Sequence, residues 1–471
     1  MISLERSKSL PIQLRLEPLF PTAALGNVLV QGKEISSLTI TRQPHRIPLL
    51  RQLLMLSRPS LKQLHIYTEK LRGRGVEEQP VQDVWQDFPF LRELFVCRYS
   101  IPIDQFTAPN LVHLALEYTG IDRIVTVQGI LDMLRGSPLL ETLLIVDSGV
   151  PQDQTQDHSP VSLPKLRSIE LGFCEVRCGL ILYLQFPPDV AAGFREMTVT
   201  DVRDDVSLVV VAAMQHVLRR IDIHRVTLAV PPHHKGSMRF LVRFDGLRGS
   251  LEISTDIVLA NTELQNVLFG PRGVLFSNSP RIKNVRELHL VGCSFEYSQG
   301  FHHIDAAMPN LISISLFHCE GANLLGLPAQ ADPPSPPFPR LERVMILGSG
   351  VGLKWMARAR RDHGVPLKTL VVGRGHTGFE CNHLEDYVEL EEFVGDLRIG
   401  CPTEVLKWGT ENEIFNIWSK IEVPGPVSAN RNPDGSELNP FCSTFSIRYA
   451  GSLSFVDLTY QSEAGGCNMY G

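Results

Sequence analysis

Gly373, Gly375 and Gly378 stand in G-x-G-x-x-G order directly after the strand-like run Leu370-Val371-Val372. A dinucleotide-binding turn has this form, because glycines let the backbone approach a pyrophosphate seated on the N-terminus of the following helix. Three features oppose that chemistry here. The segment after Gly378, F-E-C-N-H-L, is a poor helix start. No strand ending in an acidic residue follows about 20 residues on. Leu367, Leu370 and Val372 belong instead to a recurring apolar triplet, so the glycines read as the corner of a repeat and no cofactor is expected. His376, Cys381 and His383 lie close by, but a tetrahedral metal would need a fourth ligand that the sequence does not supply. Cys174 and Cys178 form C-x3-C without a second pair at ligand-like distance, so no metal site is expected. Gly348-Ser349-Gly350 falls short of the G-x-S-x-G nucleophile elbow, and its hydroxyl reads as a turn cap. His233-His234 and His302-His303 fall in polar connections and read as surface pairs. With no P-loop, zinc-protease helix or kinase signature present, the chain reads as a non-enzyme.

The elements that carry these residues repeat. In P-N-L-I-S-I-S-L-F-H-C (309–319), Leu311, Ile314 and Leu316 occupy positions 1, 4 and 6, and Cys319 occupies position 9. This is the L-x-x-L-x-L-x-x-[N/C] pattern of a leucine-rich repeat. Residues two apart on a strand share a face, so Ile314 and Leu316 point inward and Ser313 and Ser315 outward. The triplet recurs thirteen times, beginning at Ile35, Leu61, Leu91, Leu111, Leu140, Leu166, Phe194, Ile223, Val285, Leu311, Leu341, Leu367 and Val394. A weak opening unit contains Pro11, Leu14 and Leu16, and a degenerate unit with Leu251 and Ile253 lies inside the long step of 62 residues, which spans about two ordinary repeats. Proline stands two residues before Leu61, Leu91, Leu111, Leu140, Leu166, Leu311 and Leu341, where it marks the restart of each unit. Helices are expected between strands: Val127, Ile130, Leu131 and Leu134 share one helical face, with Gly136 as a left-handed cap, and 206–218 and 353–361 are similar, the latter stopped by Gly364.

The expected fold is therefore α/β, a leucine-rich-repeat solenoid or horseshoe with a parallel concave sheet and outer helices. One unit cannot cover its own strand, since each large aliphatic side chain left exposed forgoes about 1.5–3 kcal/mol, so neighbours must stack. The array is expected over 1–400 as about 14 irregular repeats of roughly 20–31 residues. Residues 401–426 read as a capping segment and 427–471 as a poorly ordered tail, with a short strand pair around Phe445 to Leu458. Polar and proline-rich insertions at 150–162 and 328–339 read as exposed loops.

A net charge of −6 on 471 residues gives nucleic acid nothing to hold. No apolar run reaches the roughly 18 residues a membrane helix needs, and M-I-S-L-E-R-S-K lacks a signal peptide's apolar segment, so a cytoplasmic or nuclear protein with no membrane partner is expected. Nine cysteines, three of them (Cys174, Cys293 and Cys319) at position 9, read as free, buried thiols. What remains is a surface. The outward residues Gln63, His65, Glu93, Phe95, His113, Ala115, Thr142, Leu144, Ser168, Glu170, Glu287, His289, Ser313, Ser315, Arg343, Met345, Thr369 and Val371 should line the concave face. Exposed Phe95, Leu144 and Met345 among polar groups suit a protein target better than a small molecule.

Two stretches outside the bare repeat, E-R-S-K-S-L-P-I-Q-L-R-L (5–16) and the segment 398–426 that begins R-I-G-C-P-T-E-V-L-K-W, go with the P-x-L-x-x-L-x-L units. Through them residues 4–426 resemble the large fungal family of F-box proteins with leucine-rich repeats. The resemblance implies that the repeats select a target protein for a cullin-type (SCF) ubiquitin ligase, whose Skp-type adaptor binds an N-terminal F-box. That helical segment of about 40 residues would precede Glu5, and Met1 stands four residues upstream of it. Two expectations follow. The F-box belongs to a longer product, or the chain is an F-box-less scaffold or binding protein with no ubiquitin role.

Overall fold

The computed structural model describes residues 11–16, 34–41, 47–67, 85–97, 99, 101–117, 127–146, 158–172, 179–198, 206–229, 238–257, 281–292, 304–317, 319, 336–347, 353–373 and 390–400. By contacts the chain divides into two units, Met1–Phe415 and Asn416–Gly471, and everything described belongs to the first. The expected capping segment and tail lie outside the described residues. So do Cys174, Cys178, Cys293, Ser349, the loop 374–378, His376, Cys381, His383 and both histidine pairs.

The strands are β1 (Ile12–Leu16), β2 (Ile35–Thr41), β3 (Gln63–Tyr67), β4 (Glu93–Cys97), β5 (His113–Glu117), β6 (Thr142–Val146), β7 (Val161–Ser162), β8 (Ser168–Gly172), β9 (Leu184–Gln185), β10 (Ala191–Thr198), β11 (Ile223–Ala229), β12 (Met238–Gly246), β13 (Ser250–Ile257), β14 (Glu287–Val291), β15 (Ser313–Phe317), β16 (Arg343–Leu347), β17 (Thr369–Gly373) and β18 (Asp396–Gly400). Sixteen of them form one sheet, in the order β1-β2-β3-β4-β5-β6-β8-β10-β13-β12-β11-β14-β15-β16-β17-β18, while β7 and β9 pair separately. Every pair in the large sheet is parallel except those that β12 makes with β11 and β13. The described α-helices are few: α1 (Ile47–Ser57), α2 (Val127–Arg135), α3 (Val206–Leu218) and α4 (Leu353–Asp362). The protein is thus a mixed α/β structure dominated by one large, mostly parallel sheet.

The triplets lock in register. Leu94, Leu114, Leu143 and Ile169 lie side by side on β4, β5, β6 and β8, and Leu288, Ile314, Val344 and Leu370 do so on β14 to β17. None of the eight is more than 2% exposed. The prolines do more than stop a helix. Leu91, Leu111, Leu140, Leu166, Leu311 and Leu341 each donate a backbone N–H to the carbonyl three residues back, at 3.0–3.3 Å, which puts Pro89, Pro109, Pro138, Pro164, Pro309 and Pro339 second in a four-residue turn. Proline's fixed φ is preset for that place, and its missing N–H is not needed there. The next backbone N–H then reaches the neighbouring unit, as in Arg92 to Lys62, Glu141 to Val112 and Lys368 to Glu342, each at 2.8 Å. At position 9, the buried Cys319 thiol donates to the Leu290 carbonyl at 3.2 Å.

Four expectations need correction. The step of 62 residues holds no ordinary pair of repeats. The chain leaves β10, enters the sheet three places away as β11, then folds back through antiparallel β12 and β13 until β13 pairs with β10. The inward alternation survives the reversal, because Val242 and Phe244 of β12 pair with Ile253 and Leu251. The unit assigned to Phe194 is out of register: Phe194 pairs with Leu171 and Ala192 with Ile169, so Phe194 fills position 6 and the small alanine at position 4 concealed the strand. Gly136 ends α2 without a left-handed turn; the described glycines with positive φ are Gly292 and Gly364. At Gly364, φ is 73°, and the N–H groups of Gly364 and Val365 bond the carbonyls of Arg361 and Arg360, a Schellman end to α4. Finally, both insertions end inside. His158, Val161 and Leu163 are buried, with β7 paired to β9 and the His158 Nδ1 atom 2.9 Å from Gln128 Oε1, and Pro336, Pro337 and Phe338 are buried as well.

Two stability measurements follow. Leu316→Ala leaves a hole in the shared row and should cost about 2–5 kcal/mol in chemical denaturation. Gly249 closes the β12–β13 turn where an added Cβ would lie 2.6 Å from the Pro188 carbonyl and 2.9 Å from that of Val190, backbone that cannot yield cheaply. Gly249→Ala should therefore cost about 1–3 kcal/mol. A neutral result would show that β13 does not need its close approach to β10.

Candidate functional site

The face of the sheet opposite the apolar triplets carries the outward residues, in rows set by the strand register. On β3, β4, β5, β6 and β8 the rows are Gln63-Glu93-His113-Thr142-Ser168 and His65-Phe95-Ala115-Leu144-Glu170. On β14 to β17 they are Glu287-Ser313-Arg343-Thr369 and His289-Ser315-Met345-Val371. Four strands, β10, β13, β12 and β11, stand between the two sets, so the expected residues form two separate fields on one face.

The first field is tied together by side chains. Gln63 Nε2 donates to Glu93 Oε2 at 3.0 Å, and His65 Nε2 lies 3.8 Å from the same oxygen. The His65 imidazole holds the Glu93 carboxyl below its ordinary range, helped by Gln63 and by the charge of His113, against burial that pushes it up. His113 Nδ1 and Thr142 Oγ1 share a hydrogen bond of 2.8 Å. Phe95 was expected to be exposed, but it is 9% exposed because Tyr67 stacks on it at 4.7 Å and the His65 ring meets it edge-on at 6.1 Å. Such aromatic pairs add about 0.5–1.5 kcal/mol beyond their area.

In the second field His289 and Ser315, also expected at the surface, are 7% and 5% exposed, and Val371 is buried too. Two residues further along each strand, on the same face, Val291, Phe317 and Leu347 are buried outside the main core cluster. Arg343 is exposed, while Glu287, Ser313, Met345 and Thr369 are half-buried. Burial pushes the His289 imidazole down to about 4, with the nearby Arg225 guanidinium adding to the effect while Glu287 and Asp245 oppose it.

Between the fields lies a charged centre that the sequence reading missed. Arg225 Nε and Nη2 both hold Glu287 Oε2, at 2.9 and 2.8 Å. Arg243 Nε donates to Asp245 Oδ1 at 2.7 Å, and its Nη1 lies 3.9 Å from Glu252 Oε2. Arg225, Arg243, Asp245 and Glu252 come from the β11–β12–β13 meander, and Glu287, expected on this face, comes from β14. The alternation in F-L-V-R-F-D-G (240–246), followed by L-R-G and then S-L-E-I, was the available hairpin signal. On β18, Arg398 pairs with Asp396 at 2.8 Å in the same way.

The His113–Thr142 pair puts an imidazole within hydrogen-bond reach of a hydroxyl, and the described residues hold no group of three potential metal ligands. What this arrangement can do is present a broad, registered surface of polar, aromatic and apolar side chains. A scan against protein-family models finds no match, and a search of curated proteins finds none.

The buried imidazole makes stability pH-dependent. In the unfolded chain His289 takes up a proton near its ordinary 6.5, whereas in the fold it stays neutral to about 4. The folded state therefore binds fewer protons across that window, and stability falls as pH drops through it, by at most about 1.4 kcal/mol per pH unit from this group. His216, whose pKa is also lowered by burial, acts in the same direction, so the variant is the control. Denaturation midpoints for His289→Gln should fall less steeply between pH 7 and pH 5 than those of the parent chain. Equal slopes would place His289 in water.

Proposed function

We propose that this chain is a leucine-rich-repeat solenoid that binds a target protein on the open face of its sheet, and that the target is thereby selected for a ubiquitin ligase of the SCF type. The observation that carries the binding reading is the common register of sixteen strands, which aligns outward side chains into rows across one face of the sheet. Surfaces of this kind bind through a few anchors ringed by polar groups. Leu144 and Met345 are half-buried apolar anchors, and Arg343 is an exposed cation two residues before Met345 on the same strand. The ligase part of the reading rests on the resemblance of residues 4–426 alone. It requires an F-box in the expressed product, and capture of a Skp-type adaptor by that product decides between the ligase subunit and a stand-alone scaffold.

The binding reading is tested by affinity capture from source cells followed by quantification of the same partner with face variants. Leu144→Ala and Arg343→Glu should each weaken capture by about tenfold or more, the scale of an anchor worth about 1.4 kcal/mol. Their thermal midpoints should stay within about 2 °C of the parent chain, as expected for surface changes. Undiminished capture by both variants would remove the open face as the binding surface.

A further inference from the structure

We propose that the half of the open face formed by β14 to β18 docks an extended segment of the partner protein that carries a single Asp or Glu two residues from a large apolar side chain, with the carboxylate on Arg343 and the apolar group on Met345. This inference rests on the protein-binding reading above and gives the partner its chemistry. Most charges in and around this half are already answered. Arg225 is held by Glu287 and Arg398 by Asp396, each at 2.8 Å, and Lys368 meets Glu342 at 2.6 Å. Arg343 is exposed, and no carboxylate among the described residues holds it. Ser313 and Thr369 are its register partners on β15 and β17, about 4.8 Å to either side, so the guanidinium stands between two hydroxyl-bearing side chains. A guanidinium stays charged at any physiological pH, and its fork of N–H donors matches the two oxygens of a carboxylate.

The spacing suits an extended chain. Arg343 and Met345 are two residues apart on β16 and share a face, so they are separated by about 6.6–6.8 Å along the strand. Side chains i and i+2 of a segment laid along β16, in either direction, have the same separation. The ground beside the cation is apolar. Met345 is half-buried between Ser315 and Val371 in its row, and Val371, Phe317 and Leu347 are buried without belonging to the main core cluster. An apolar side chain seated on Met345 would exclude water from the neighbouring ion pair and so strengthen it. The carboxylates on either side hold the anion to one residue. Glu287 and Asp396 stand in the same row as Arg343, each two strand intervals away, about 10 Å on opposite sides. A run of acidic residues, or the phosphates of a nucleic acid, would bring further negative charge toward them, whereas one cation between hydroxyls matches one carboxylate.

The test uses the full chain and fluorescein-labelled peptides T-S-T-Z-T-L-T-S-T, with Glu, Gln, Lys or phosphoserine at Z, read by anisotropy. Saturable binding of the Glu peptide is expected, at least about fivefold tighter than that of the Gln and Lys peptides. In Arg343→Gln the Glu and Gln peptides should bind equally, while Arg343→Lys should keep part of the preference for Glu. Met345→Ala should weaken the Glu and Gln peptides together, by at least about threefold, and leave their ratio unchanged. If Arg343→Gln fails to fold, Ser313→Asp, which keeps the arginine and sets a carboxylate beside it, should abolish the preference instead. A Glu peptide that binds no better than the Gln peptide, a preference that survives Arg343→Gln or Ser313→Asp, or binding by the phosphoserine peptide alone overturns the proposal. Any of these results together with loss of captured partner in Leu144→Ala leaves the binding reading in place. Undiminished capture in both Leu144→Ala and Arg343→Glu would remove both.

Discussion

The constraint on which the rest depends is that each short strand turns only two side chains into the main core and covers them only with its neighbours' help. Leu94 with Val96, Ile314 with Leu316 and Val344 with Ile346 are buried pairs, and each is covered only because neighbouring strands carry the same pair at the same height. A slip of one residue on any strand would turn its pair to the opposite face and expose both side chains. The proline-led turns set that height. Each turn starts the strand at a fixed residue, and the N–H that follows ties it to the preceding unit before the ladder begins. Burial therefore supplies most of the energy, while the turns supply the alignment that lets burial be shared.

The meander shows how strictly the alignment is kept. β12 runs against every neighbour, yet Val242 and Phe244 enter the dry rows beside Ile253 and Leu251 on one side and Leu228 and Val226 on the other. Reversing a strand leaves its two-residue alternation unchanged, so an antiparallel insertion is tolerated where a frame shift is not. The same reversal sends Arg243 and Asp245 to the open face. There they and Arg225 meet Glu252 and Glu287 from strands on either side, and opposite charges on adjacent strands favour the pairing. Gly249 makes the join to β10 close, with the backbone of Pro188 and Val190 against it.

What could be read beforehand divides along the same line. Strands whose dry pair consists of large aliphatic residues, such as Leu64 with Ile66 or Leu370 with Val372, declare themselves by spacing alone, and their outward neighbours follow automatically. β10 does not, because Ala192 carries too little apolar weight to mark position 4 and Met197 and Val199 offer a false alternative downstream. The meander is hidden for a different reason: the parallel units share one period, and a hairpin has a period of its own. On the open face, sequence fixes which residues point outward but not what covers them. Phe95 is hidden by Tyr67 and His65, which lie one strand away in space and about thirty residues away in the chain. Leu370 and Val372 take their places in the rows of the sheet, as the triplet expected of that stretch requires.

Arg360 carries the argument to the edge of the sheet. It is the one described charged side chain that is wholly buried, and burial pushes it down to about 10, so it remains a cation at neutral pH. Its Nη1 and Nη2 donate to the carbonyls of Pro337 and Phe338 at 2.8 and 2.9 Å, while Asp305 accepts the Phe338 N–H at 2.9 Å. Phe338 needs this clamp, because its φ of 56° is a conformation that a bulky residue avoids. Held there, its ring is fully buried and its carbonyl opens the turn that starts β16 through Pro339 and Leu341. A buried charge of this kind is a costly way to gain stability, and replacing it with a well-packed apolar group often costs nothing. Its effect here is positional. Arg360 of α4 and Asp305 of the preceding unit both grip one strained residue, so three successive units are set in register at a point where the proline-rich insertion would otherwise leave the strand free to slip.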